Sequence, residues 1–329
     1  MNFNPGAISP SDETGIARAA ELLRSGGLVA MPTETVYGLA ADATNDLAVA
    51  KIFAAKGRPS FNPLIAHVAS LREAMALGQF SPKAKLLAQT FWPGPLTLVV
   101  HARQDCPVSL LARAGLNSLA IRIPAHNVAL ALLKAVKTPL AAPSANRSGH
   151  VSPTLAQHVA ADLGPSVDLI LDGGPCTLGV ESTILSCLED EPVLLRPGGL
   201  TRQSIEAVLQ SPLAKQTQGK EQNKEDDPLL APGLMASHYA PHAKVRLNAR
   251  EGLAGEAILD FGPAMQAPSS APRLSLSPSG NLIEASANLF AALRQLDHSG
   301  CHTIAIAPIP PHDLGEAIND RLARAAAPR

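Results

Sequence analysis

The chain has 329 residues, of which 46% are hydrophobic and only 3% aromatic, and its formal net charge is -1. That length supports two domains with separate cores built from Ala, Leu, Val and Ile. The near-neutral balance argues against wholesale coating of nucleic acid and leaves room for a local cationic groove. Cys106, Cys176, Cys187 and Cys301 show no C-x-x-C spacing, which predicts a reducing, cytoplasmic compartment and no structural zinc. The opening MNFNPGAISPSDE lacks the basic start and apolar core of a secretory signal, and no apolar run is long enough to span a bilayer.

In chain order, Ser11 or Asp12 is expected to cap a helix through Ile16, Ala19, Ala20, Leu22 and Leu23 that ends at Gly26-Gly27. Residues 28–31 read as a buried strand stopped by Pro32. Thr33, Glu34 and Thr35 follow, then Tyr37-Gly38. A helix is predicted over 46–55 with Gly57 at its end, flanked by Lys56 and Arg58. Pro59 and Pro63 keep the next segment extended, and 64–68 reads as a strand with His67 near its end. Residues 27–68 therefore collect hydroxyls, a carboxylate, two cations, the amide of Asn62 and an imidazole, which suits an anionic ligand held beside a small polar one.

Helices are expected at 70–77, 82–91 and 127–136, and strands at 96–100, 119–123, 169–171 and 193–196. Alternation on 119–123 puts Arg122 on the face opposite Ile121 and Ile123. Residues 140–142 lead into the turn Pro143-Ser144-Ala145-Asn146, and Thr201 caps a helix to about Leu209. Interleaved strands and helices predict an α/β domain with a mixed sheet over residues 1–210. Residues 211–243 start polar and without period, as a linker, although PGLMASHYAP within it is less hydrophilic than a free linker. Residues 244–329 return to α/β, with strands near 245–247, 257–260 and 303–307 and helices near 282–296 and 314–326. This second unit reads as a small Rossmann-like domain, and it carries no G-x-G-x-x-G loop for a dinucleotide.

Several side chains have two readings each. Lys56 and Arg58 at a helix end can converge on a phosphate chain, or form a solvated surface pair. Ser144, Asn146 and exposed backbone N–H groups can ligate phosphate or ribose, or merely stabilise a turn. Arg122 needs an anion, from the protein or from a ligand. His67 can be a satisfied core imidazole and Ser182 an ordinary strand residue. Arg196 is a second phosphate cation or an exposed strand end.

PTETVYGL, then KGRPxxNPL with His67 shortly after, and later APSANRSG, resemble the YrdC-like family, the L-threonylcarbamoyladenylate synthases. HYAP followed by a small α/β unit resembles the longer, two-domain branch. The resemblance implies a mixed twisted sheet with flanking helices, and a linker that folds over the active site as a lid. It implies Lys56 and Arg58 as the catalytic cations. ATP would be held by Arg58, Asn62, Ser118, Ser144, Asn146, Ser152, Arg196 and His238. L-Threonine would be held by Thr35, His67, Arg122, Ala142 and Ser182. The implied reaction joins L-threonine, bicarbonate and ATP with release of pyrophosphate. Mg2+ would arrive with ATP, bound by phosphate oxygens and water. The product would pass to a separate transferase that modifies adenosine 37 of tRNA. Family members often carry charged or aromatic residues where this chain has Leu234-Met235-Ala236-Ser237.

Three rival classes are weighed against this. An RNA-binding module would grip phosphates on a cationic concave face, against which stand the near-neutral charge and few aromatics. A serine hydrolase would use Ser182 or Ser144, but neither lies in G-x-S-x-G. A carbamoyl-transfer enzyme built on a related domain would carry further domains and Cys clusters, which this chain lacks.

Overall fold

The computed structural model describes residues 6–214, 230–233 and 237–328. The first half runs β1 (Ile8–Pro10), α1 (Glu13–Arg24), β2 (Val29–Met31), β3 (Gly38–Asp42), α2 (Asp46–Lys56), β4 (Ile65–His67), α3 (Leu71–Leu77), β5 (Gly78–Gln79) and α4 (Pro82–Phe91). It continues with β6 (Leu96–Ala102), β7 (Ser118–Arg122), α5 (Asn127–Val136), β8 (Leu140–Ala141), α6 (Ala156–Leu163), β9 (Leu169–Asp172), β10 (Thr183–Ser186), β11 (Val193–Arg196) and α7 (Arg202–Leu209). These strands form one mixed sheet in the order β1-β9-β2-β3-β8-β4-β7-β6-β10-β11, with β5 added beside β6. The remainder is β12 (Lys244–Arg246), β13 (Glu256–Asp260), β14 (Arg273–Ser275), α8 (Leu282–Asp297), β15 (Thr303–Ile306) and α9 (Leu314–Ala326). Its four strands are all parallel, in the order β12-β15-β13-β14.

Local chemistry explains the main boundaries. Asp12 caps α1 by accepting from the Gly15 N–H at 2.8 Å. Asn45 caps α2, and Gly57 ends it in the left-handed region at φ +59°. That conformation costs other residues about 1–2 kcal/mol. It turns the chain so that Lys56 and Arg58 leave the helix facing inward. On α5, Ala129, Leu132, Leu133 and Val136 are buried at helical spacing, packed in one apolar cluster with Ala19, Ala20 and Leu23 of α1. Each of those leucines contributes about 1.5–3 kcal/mol of burial. The core of the small unit includes Val36, Val151 and Val180 from the large one, so the apolar packing is continuous across them.

The structure departs from the expected elements in a few places. β3 is Ala-rich, with low strand propensity, and forms by antiparallel pairing with β2. α6 has no side-chain cap to announce it. β1, β5 and β14 are only two or three residues long. In GVESTIL the strand starts at Thr183, and residues 179–182 are a loop that delivers Glu181 and Ser182 to the sheet edge. Leu234, Met235 and Ala236 lie outside the described residues, as does most of the polar part of the linker. All four cysteines are free. Among the described residues, no helix is long and apolar enough to cross a membrane.

Candidate active site

Sheet register builds the first wall of a cavity. β4 and β7 are parallel neighbours with His67 beside Arg122, and β8 flanks β4 on its other side. Thr35, His67, Arg122, Ala142 and Ser182 all line the cavity. Arg122 is held from three sides. Its Nε donates to the Gly94 carbonyl at 3.3 Å, its Nη1 donates to the Thr35 hydroxyl at 2.9 Å, and its Nη2 lies 2.7 Å from Glu34 Oε1. The Glu34 contact is charge against charge, since neither carboxylate oxygen receives an aligned hydrogen bond among the described residues. The structural carboxylate and the ligand-facing position therefore coexist at Arg122. His67 Nδ1 is 3.2 Å from the Ile65 carbonyl. Burial, helped by the Arg122 charge, pushes the His67 pKa down to about 3, so the imidazole is neutral.

A second group of lining residues, adjoining the first at Ser182, forms a cationic wall. Arg58, Ser144, Arg196 and His238 line it. Arg58 donates from Nε to the Asn62 carbonyl at 3.2 Å and from Nη2 to the Pro63 carbonyl at 3.0 Å. Arg196 donates from Nη2 to the Ser182 carbonyl at 2.8 Å and from Nη1 to the Pro232 carbonyl at 3.3 Å. Burial lowers the pKa of Arg58 to about 10, and the Arg196 charge adds to that. His238 is kept well below its ordinary pKa by burial and then by Arg58, Lys56, Arg196 and Arg321. Its ring lies 4.0 Å from that of Tyr239, which also lines the cavity.

Five sequence-predicted residues lie behind these walls rather than on them. Lys56 Nζ donates to the Ser144 carbonyl at 2.6 Å and the Asn146 carbonyl at 2.5 Å, bracing that turn from below. Asn146 Nδ2 donates to the Arg147 and His150 carbonyls at 2.7 and 2.8 Å. Ser152 is fully buried and donates its hydroxyl to Glu181 Oε1 at 2.5 Å. Asn62 is fully buried next to Arg58, and Ser118 opens β7 at the end remote from Arg122.

Sequence reasoning missed three charged residues. Glu34 was read only as one polar group of its loop, yet it is the ion partner of Arg122. Glu181 lines the cavity and pairs with Arg321 of α9 at 2.7 Å. That pair spans 140 residues, so no local spacing signals it.

The geometry narrows the chemistry. Lys56, Arg58, Arg122 and Arg196 are each under a tenth exposed, so they cannot form the open concave face an RNA-binding module needs. The Ser182 hydroxyl bonds Thr97 Oγ1 at 2.8 Å and has Arg196 Nη2 at 3.4 Å, and among the described residues it has no hydrogen bond to an imidazole or carboxylate that could activate it. What remains is an enclosed cavity lined by Arg58, Arg122 and Arg196, whose chemistry suits anionic groups.

An α/β fold with such an enclosed, cation-lined cavity is the architecture of a small-molecule enzyme rather than of an RNA-coating surface. Comparison with known proteins narrows the class. A family model described as telomere recombination, Sua5/YciO/YrdC, matches residues 21–198. A second, described as threonylcarbamoyl-AMP synthase, C-terminal domain, matches residues 200–327. The threonylcarbamoyl-AMP synthase of Bacillus subtilis (strain 168) is 42% identical, covering 97% of this chain and 95% of the relative. That of Pyrococcus abyssi (strain GE5 / Orsay) is 41% identical over 96% of this chain and 95% of the relative. The crystal structure of P. abyssi Sua5 complexed with L-threonine superposes with a TM-score of 0.85 at 38% identity, covering 97% of this chain and 96% of that one. The chain belongs to the threonylcarbamoyl-AMP synthase family and is an enzyme of that type.

Proposed function

We propose that the chain condenses L-threonine, bicarbonate and ATP to L-threonylcarbamoyl-AMP, releasing pyrophosphate. The observation that carries this is one cavity with two unlike walls. The Arg122 wall suits an amino-acid carboxylate, and the Arg58–Arg196 wall suits a triphosphate. A similar chain of the same fold is known with L-threonine bound.

In this reaction the threonine amine attacks the bicarbonate carbon and water leaves, giving N-carboxy-threonine. An oxygen of the new carboxylate then attacks the α-phosphorus, and the bond to pyrophosphate breaks. The protein's part is placement and charge compensation. Arg122, with Thr35 beside it, orients the threonine carboxylate. Arg58 and Arg196 offset the phosphate charge, and Lys56 fixes the turn that carries Ser144. His238 and Tyr239 close the cavity from the linker side and exclude water from the labile product. The substrate form of the nucleotide is MgATP. Glu181, which lines the cavity, and Glu34, the partner of Arg122, are both already paired with arginine, so a magnesium ion would be held through the nucleotide phosphates and water rather than by these carboxylates. The product is expected to serve a cytoplasmic transferase that modifies tRNA.

The test is pyrophosphate release from ATP, omitting L-threonine or bicarbonate in turn, with Arg58→Ala as control and mass detection of the adenylate. Release that needs both co-substrates and falls in the variant supports the assignment. Turnover indifferent to threonine sinks it.

A further inference from the structure

Arg321 belongs to α9, in the small C-terminal unit, and is 0% exposed. Its Nε donates to Glu181 Oε2 at 2.7 Å, and its Nη1 donates to Asp320 at 2.5 Å. The guanidinium carbon sits 5.1 Å from the centre of the Tyr239 ring. Both Glu181 and Tyr239 line the cavity, whereas Arg321 does not reach it. The other Glu181 oxygen takes the Ser152 hydroxyl. Tyr239 has φ +62°, a backbone position that an aromatic residue holds only when its surroundings enforce it. The large unit holds the next residue, through the Ala240 N–H to the Gly149 carbonyl, and the small unit supplies two further contacts. Phe290 of α8 stacks on the Tyr239 ring at 5.7 Å, and the Arg324 carbonyl of α9 accepts the His238 N–H at 3.2 Å.

A simple docking role would not need this burial. Two other ion pairs already join the units at partly exposed positions, Arg202 with Glu316 at 2.6 Å and Arg294 with Asp162 at 2.5 Å. A fully buried arginine is costly unless its charge is used. Here it meets a carboxylate that faces the cavity beside Arg196. Without Arg321, that carboxylate would draw its compensation from Arg196, taking charge from the wall meant for phosphates, and Tyr239 would lose its cationic seat.

We propose that Arg321 is a positioning residue for the nucleotide half of the active site, acting through Glu181 and Tyr239, so that a helix outside the catalytic sheet sets the charge and shape of the phosphate-facing wall. This rests on the function proposed above and goes beyond it by giving the C-terminal unit a part in nucleotide recognition. The threonine half, organised by Arg122 and Glu34, is outside its reach.

The test uses the full chain and steady-state formation of threonylcarbamoyl-AMP. Arg321→Met is expected to raise KM for ATP about tenfold or more while KM for L-threonine moves less than about twofold. Arg321→Lys keeps the charge without the planar fork and is expected to give a rise of about threefold, which preserves the test if the Met variant fails to fold. Glu181→Gln combined with Arg321→Met leaves no unpaired buried charge and is expected to recover at least half of the logarithmic rise, because the two side chains act as one unit. Glu316→Gln, which breaks the docking pair on the same helix, is expected to leave both constants unchanged. An equal rise in both constants, the same ATP effect in Glu316→Gln, or no recovery in the double variant would overturn the inference. If the wild-type chain makes no threonylcarbamoyl-AMP, it is the proposed function that falls. A wild type that makes it, with ATP kinetics unmoved in Arg321→Met, removes the inference alone.

Discussion

Arg122→Met separates the structural duty of this arginine from its duty to substrate. The Arg122–Glu34 contact is 2.7 Å, and the two side chains are only 5% and 8% exposed. Removing the cation strands a buried carboxylate, which costs about 3–5 kcal/mol. At about 2–4 °C per kcal/mol for a domain near this size, the unfolding midpoint should fall by about 6–20 °C. Adding Glu34→Gln removes the stranded charge, so the double variant should regain most of that loss. Neither variant has a guanidinium for the threonine carboxylate. A charge-assisted hydrogen bond contributes about 1.5–3 kcal/mol, so both variants should bind L-threonine about ten- to a hundredfold more weakly. Differential scanning calorimetry reads the first quantity and titration calorimetry with L-threonine reads the second. Restored threonine binding in the double variant would refute the substrate duty. An unchanged midpoint in the single variant would refute the argument from burial.

Two further outcomes follow from the same geometry. Lys56→Met removes the brace under the Ser144–Asn146 turn, so kcat/KM for ATP should fall about a hundredfold with KM for threonine little changed, as steady-state kinetics would show. His67 and His238 are neutral in the fold, the first with a pKa near 3 and the second held well below its ordinary value, and both become ordinary imidazoles near pH 6.5 on unfolding. Their depressed folded pKa values mean that this stability is complete above about pH 6.5 and declines as pH falls below it, by up to about 1.4 kcal/mol per pH unit for each imidazole. Urea denaturation at pH 7.5, 6 and 5 should show that decline. A slope no shallower in His67→Asn would remove His67 from the account.

The site was legible wherever chemistry lay close in sequence. Asp46 to Lys56, Gly57 and the proline-held strand after it announced the cationic loop, and α5 and α9 have the expected bounds because their apolar periodicity is strong. Alternation gave Arg122 its face but could not choose between a protein and a ligand carboxylate. The structure supplies the first and leaves a cavity for the second. Arg321 was illegible for a physical reason. On an amphipathic helix an arginine reads as a solvated residue, and only the docking of α9 against the 179–182 loop buries it. Ser152 went the other way. Its place in the motif suggests a nucleotide contact, and the structure adds a bond that the motif does not announce, from its hydroxyl to Glu181.

The two walls differ in how their charge is cancelled, and the difference matches the two substrates. Arg122 is balanced by Glu34, so that wall is close to neutral before any ligand arrives. Free threonine is a zwitterion with no net charge, and a neutral pair can orient it without a large change in field. Arg58 and Arg196, with Lys56 behind them, are instead satisfied mainly by backbone carbonyls. Carbonyls occupy the donors but leave the positive charge uncancelled, and the lowered pKa values of all three record that cost, with burial as the leading cause. A wall in that condition is relieved by a polyanion. On the proposed function, a bound triphosphate would supply the missing counter-charge, and relief of the repulsion among the cations would be part of the affinity for ATP. On this account Glu181 must stay neutralised by Arg321, because a free carboxylate there would spend on itself the field that the phosphates are meant to meet.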